Sequence, residues 1–181
     1  MLTPGIHFTK FKIRKKNIKI KNELKFILKQ NIQVIHSLTK KYINNFNKKD
    51  IVKYKKQKNY RIIGMGGSSL GSQAIYDFLK HKINKKFEFL DNLNPNYKNS
   101  SNSNVLNLII SKSGNTLETI VNSNIYIKKN QKNIFITENK KSYLHILAEK
   151  LKAEIIYHNN FIGGRYSVLS EVGMLPAELM G

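Results

Sequence analysis

No cysteine occurs among the 181 residues. A disulfide framework and any thiolate metal site are therefore excluded, and a reducing compartment fits. Acidic residues are scarce, 11 against 32 Lys and Arg, which gives a formal net charge of +21. Arginine is scarcer still and is confined to Arg14, Arg61 and Arg165. Clustered cations would supply nonspecific affinity for nucleic acid. Here the lysines are scattered among abundant asparagine and are not interleaved with stacking aromatics. The charge reads as a solvated surface that steers anionic ligands; a nucleic-acid binder would show salt-dependent DNA affinity. Long apolar runs are missing too. No segment approaches about 18 uninterrupted apolar residues, and the opening MLTPGIHFTKFKIRKK lacks the apolar run of a secretory signal. The expectation is a cytoplasmic protein with no nucleic-acid and no membrane partner, long enough for one domain with a proper core.

Glycine and serine, by contrast, are concentrated. In RIIGMGGSSLG, residues 61–71, an apolar run with Ile62 and Ile63 breaks into four glycines and two serines. That is the pattern of a buried strand ending in a tight turn before a helix. Its glycines, at 64, 66, 67 and 71, do not have the dinucleotide spacing, and no Walker lysine follows. A ligand-cradling turn and a merely tight turn both fit it. The stretch VLNLII, residues 105–110, reads as a core strand running into Ser111, Lys112, Ser113, Gly114, Asn115 and Thr116, with a helix opening near Leu117. Hydroxyls, one lysine and a helix N-terminus aimed at one point suit a phosphate. A helix cap would need one such residue, not a cluster.

The chain divides into a helical N-terminal extension, residues 1–58, and an α/β domain, residues 59–181. An amphipathic helix is predicted over Asn22 to Lys41, with Leu24, Phe26, Ile27, Ile32, Val34, Ile35 and Leu38 apolar. A second short helix is expected within residues 42–59. Strands are predicted at residues 60–64, 87–90, 105–110, 133–137 and 154–157, with a loop at 91–104. Helices are predicted at residues 69–82, 116–130 and 140–151. The first of these should bury Leu70, Ala74, Ile75, Phe78 and Leu79, and the second Leu117, Ile120, Val121, Ile125 and Ile127. Strands separated by helical crossovers imply a doubly wound, five-stranded parallel sheet with ligands at the carboxyl ends of the strands. His7, His36, His81 and His145 carry no motif, and His158 reads as a strand-end residue.

ISKSGNTLET, residues 110–119, resembles the phosphosugar-binding signature of sugar isomerase domains. GMGGSSLG together with GGRYSVLSEVGMLPA resembles the phosphoglucose isomerase family, and the likeness covers roughly residues 59–181. The resemblance implies a sugar-isomerase-type, flavodoxin-like α/β fold. It implies glucose 6-phosphate and fructose 6-phosphate as substrates, interconverted through a cis-enediol, with no metal and no organic cofactor. Within it, Ser111, Lys112, Ser113 and Thr116 anchor the phosphate, and Gly67 and Ser68 orient sugar hydroxyls. Arg165 stabilises the enediolate; an ion pair at a helix start is the plainer role for it. Glu118 orients a catalytic histidine or simply complements a helix N-terminus. The family usually forms homodimers with shared sites. Its proton-transferring glutamate, ring-opening histidine and a further catalytic lysine lie beyond the GGRYS block. The 181 residues are accordingly expected to be an N-terminal portion of a larger isomerase, binding sugar phosphate without turning it over. The alternative is a noncatalytic, regulatory sugar-phosphate-binding module.

Overall fold

The computed structural model describes residues 17–30, 32–94 and 104–181. Five short apolar runs form one parallel sheet: β1 (Asn59–Ile63), β2 (Lys86–Leu90), β3 (Leu106–Ile110), β4 (Lys132–Thr137) and β5 (Glu154–Tyr157). Their spatial order is β2-β1-β3-β4-β5. Each strand lies within a residue of its predicted span, because β-branched runs between polar crossovers have few other ways to be buried on both faces. The expected loop at 91–104 falls, for residues 95–103, outside the described residues, as do His7 and Arg14.

Register sorts the core into two layers. Phe89, Ile62, Leu108 and Ile134 are aligned across four strands. That face packs on α7 (Glu171–Met180) through Val172, Leu175 and Leu179, and on Tyr76 of α4 (Leu70–Leu79). The opposite face, with Ile63, Ile109 and Phe135, is covered by Tyr126 of α5 (Leu117–Tyr126) and by Leu144 and Ala148 of α6 (Tyr143–Lys150).

The helix faces differ from expectation. Leu70 and Phe78 are 57% and 67% exposed, Ala74 is exposed, and Leu117 and Ile125 are also turned outward. Ser72 and Tyr76 are the buried positions of α4, and Thr119, Asn122, Ser123 and Tyr126 those of α5. The reason is that Ser72 donates to the Ser69 carbonyl and Ser123 to the Thr119 carbonyl. Satisfied in this way, small hydroxyl residues cost little to bury and let the helix approach the sheet closely. Helix α5 also ends at Tyr126, four residues short of the predicted end. There the guanidinium of Arg61, buried in β1, donates to the Tyr126 carbonyl at 3.3 Å and pairs with Glu88 at 2.7 Å.

The predicted helix over residues 22–41 is two pieces. Asn17 caps α1 (Ile18–Lys29) by accepting from the Ile20 amide, and Gln30 and Ile32 are extended before the one-turn α2 (Gln33–His36). The β-branched Ile32, Val34 and Ile35 are weak helix formers. All of α1 is exposed, so the apolar residues Leu24, Phe26 and Ile27 meet no core. Further along, α3 (Lys48–Ile51) does reach the domain: Ile51 is fully buried, and Tyr54 donates to Glu154 at 2.7 Å. No described helix is long and apolar enough to cross a membrane.

Candidate functional site

A strand order of 2-1-3-4-5 has its topological switch between β1 and β3, where consecutive connections leave the sheet in opposite directions and open a crevice at the carboxyl edge. The two glycine and serine loops of the sequence emerge at that crevice.

The β1 loop continues as a single 3-10 turn, Gly66–Ser68, before α4. Gly66 has φ of +55°, a conformation L side chains rarely adopt. A Cβ on Gly64 would lie 2.9 Å from the Ile110 carbonyl oxygen, so this turn sits directly on the end of β3. A Cβ on Gly67 would lie 2.3 Å from the carbonyl oxygen of Gly164. Ser68, beside it, is half-buried.

The β3 loop holds the hydroxyl cluster. Ser111 is buried, and its hydroxyl meets that of Thr116 at 2.9 Å. Thr116 is the N-cap residue of α5, yet its side chain makes no capping hydrogen bond. The first amides of α5 are therefore left for another acceptor. Glu118 is half-buried in that first turn, and one residue on, the buried Thr119 hydroxyl has no hydrogen-bond partner. Ser113 is exposed and accepts from the Asn115 amide at 3.2 Å. Gly114, at φ +66°, is pressed against Ser142, where a Cβ would come 2.1 Å from the hydroxyl oxygen. Lys112 leans sideways: its ammonium donates to the Asn160 carbonyl and lies 3.6 Å from Glu138. It joins this loop to the segment after β5.

That segment carries Arg165 in a 3-10 turn, Gly164–Leu169. The Ser167 hydroxyl lies 2.7 Å from the Gly164 carbonyl and 3.1 Å from the Gly67 carbonyl, tying this turn to the first one. Arg165 is exposed and makes no ion pair with any described residue, contrary to the plainer role offered for it. With Gly67, Gly164 and the outer face of α4 it lines a cleft of about 710 Å³. Of the predicted site residues, Gly67 and Arg165 thus share one cleft, Ser111 and Thr116 share one hydrogen bond, and Lys112 spans two loops.

Sequence reasoning missed a buried pair behind the Arg165 turn. His158 and Glu171 are 2% and 0% exposed and bonded through Nδ1 and Oε1. Burial pushes the Glu171 carboxyl up, but its bond to His158, a backbone N–H and the Tyr42 hydroxyl together hold it below its ordinary value. Burial in turn pushes Tyr42 up to about 12, offset in part by Asn159 and reinforced by Glu171. The residues lie 129 positions apart for Tyr42 and Glu171, and no local pattern announces such a contact. Among the described residues no cluster of three or more His, Asp or Glu could hold a metal ion.

The family model for phosphoglucose isomerase matches residues 14–181. Glucose-6-phosphate isomerase of Borreliella afzelii is 39% identical over 140 residues, 67% of this chain and 26% of the relative. That of Methanocaldococcus jannaschii is 37% identical over 71% of this chain and 35% of the relative. That of Borrelia garinii subsp. bavariensis is 32% identical over 93% of this chain and 35% of the relative. The chain therefore spans between about a quarter and a third of these curated relatives. Among solved structures, the Vibrio vulnificus NanR protein complexed with ManNAc-6P superposes with a TM-score of 0.58 at 19% identity, over 90% of this chain and 63% of that one. Tagatose-6-phosphate ketose/aldose isomerase from Escherichia coli superposes at 0.53 and 18%, over 73% of this chain and 40% of that one. These two show the shared fold.

Proposed function

The chain belongs to the phosphoglucose isomerase family, and from that premise we propose that it is the phosphosugar-holding part of a glucose-6-phosphate isomerase. The reaction is the reversible aldose-ketose interconversion of glucose 6-phosphate and fructose 6-phosphate through a cis-enediol, a step of glycolysis and gluconeogenesis. A cytoplasmic homodimer with shared sites belongs to the same reading. The observation that carries it is the contact of the β1 turn with both the end of β3 and the post-β5 turn at the carboxyl edge of the sheet, where the β3 loop bears a hydroxyl pair at an uncapped helix start and the post-β5 turn bears Arg165, which pairs with no described acid.

Each residue then has a physical task. Ser111, Ser113, Thr116 and the first amides of α5 hold the dianionic phosphate, where each charge-assisted hydrogen bond contributes roughly 1.5 to 3 kcal/mol. Lys112 adds positive charge there and keeps the neighbouring loop in register. Gly67, bare of a side chain, and Ser68 let the sugar lie against the main chain. Arg165 stabilises negative charge on the enediolate oxygens as it develops; a guanidinium suits this because it keeps its own protons. Glu118 orients a catalytic histidine. The reading calls on no metal or organic cofactor, and the 181 residues alone bind sugar phosphate without turning it over.

Titration calorimetry of this chain with glucose 6-phosphate tests the binding half. Saturable binding that inorganic sulfate competes away supports it, and no heat at millimolar sugar phosphate refutes it. A coupled isomerase assay on the longest open frame containing the chain tests the chemistry. A second reading, a noncatalytic sugar-phosphate-binding module, is favoured by one observation. The histidine nearest the Arg165 turn, His158, has both ring nitrogens engaged and is not free to transfer protons to a ligand. Binding with silence from the long frame would select that reading.

A further inference from the structure

We propose that the buried His158–Glu171 pair is a positioning device for Arg165, and that Tyr42 brings the N-terminal segment into it. This inference rests on the isomerase reading for the task of Arg165. Its structural part stands without that reading.

His158 leaves the end of β5 and Glu171 opens α7, so the pair closes the base of the loop that carries Gly164 and Arg165. Nε2 of His158 lies 3.1 Å from the carbonyl of Ile162, which is fully buried, and so fixes the first half of the loop. The second half is held against the β1 turn by Ser167 and the Gly67–Gly164 contact. The other oxygen of Glu171 accepts from the Tyr42 hydroxyl at 2.9 Å, and that hydroxyl accepts from Asn159 at 3.0 Å. Every polar atom of the pair thus has a partner within the protein, and none is left to touch substrate. Both ring nitrogens of His158 face oxygens that can only accept, Glu171 Oε1 and the Ile162 carbonyl. Held at both nitrogens in this way, the ring has one orientation.

A polar pair this deep forfeits hydration that an apolar pair would not. What it provides is geometry: three directional bonds that allow one conformation of the loop. Arg165 makes no ion pair with any described residue, so the turn that bears it decides where its side chain starts. Removing one partner leaves a buried, uncompensated charge, and the loop is the element free to move in response.

The experiment uses the full 181-residue chain carrying 15N-labelled histidine and arginine. Expected for the wild type are slow amide exchange from Gly163 to Ser167 and a resolved Arg165 Nε–H signal. In His158→Ala the exchange should accelerate, the Arg165 signal should broaden, and glucose 6-phosphate affinity should fall about tenfold. Added imidazole, filling the vacated space, should restore both, which a general loss of packing would not allow. Tyr42→Phe, a mild change at the edge of the network, should weaken affinity a few-fold in the same direction and tests the idea if His158→Ala does not fold. Unchanged loop exchange and affinity in folded His158→Ala, or in Tyr42→Phe, would overturn the proposal. If the wild type binds no glucose 6-phosphate, it is the isomerase reading that fails, and the exchange measurements alone decide on the pair.

Discussion

Ser111 and Thr116 spend their hydroxyls on each other, and neither caps the helix they precede. In the absence of ligand each is therefore nearly dispensable for stability, whereas both become donors once an anion arrives. Ser111→Ala and Thr116→Val should each weaken glucose 6-phosphate binding about tenfold in calorimetry. Arg165→Ala should weaken glucose 6-phosphate binding about tenfold by removing a positive charge near a dianion, with its larger effect on turnover of the longest open frame, and should shift unfolding free energy by less than about 0.5 kcal/mol, since the side chain is exposed and pairs with no described acid. Gly67→Ala should do the opposite first. Its new methyl group would meet the Gly164 main chain, which cannot rotate away as a side chain would. A loss of roughly 1–3 kcal/mol in denaturant unfolding is expected. The loops that carry these residues were legible in the sequence because hydroxyl, glycine and lysine cluster there beyond what a cap or a turn needs. The direction of Lys112 was not, since it depends on where Glu138 and Asn160 come to rest.

The five strands of the sheet were legible as elements because period and composition agree along each of them. The buried faces of α4 and α5 were legible only in part: Ile75, Ile120 and Ile127 do pack against the core as expected. Reading apolar as inward fails where serine and threonine satisfy themselves on the backbone and leave Phe78 and Leu117 outside. The contrast is measurable: Phe78→Asn should change stability by less than about 0.5 kcal/mol. Tyr76→Ala, which removes a ring packed on Phe87 and Phe89, should cost about 3 kcal/mol. The end of α5 was equally hidden, because Arg61 is far from it in sequence. Arg61→Met should cost about 2 kcal/mol by stranding Glu88 and removing the bond to the Tyr126 carbonyl, a figure reduced for the 28% exposure of the Glu88 side chain. In the variant, hydrogen exchange should quicken in the last turn of α5 before it does elsewhere.

Across the whole molecule, the contacts made by Tyr42, Ile51 and Tyr54 fasten the N-terminal segment to the domain from outside any motif. One of them enters the Glu171 network and gives the fold a pH signature. The folded carboxyl lies below its ordinary value of 4.5. Its contribution to stability is therefore complete above that value and disappears as pH falls through the lower, folded one. As pH falls below about 4.5, wild type should lose melting temperature more steeply than Glu171→Gln. The Gly67–Gly164 contact has a different reach. Where two main chains touch with nothing between them, mutation has no side chain to trade. Under selection for a new sugar preference, position 67 would stay glycine in every surviving clone while variation accumulated at its neighbours. The seam between those two turns would then record ancestry, and the residues around it diet.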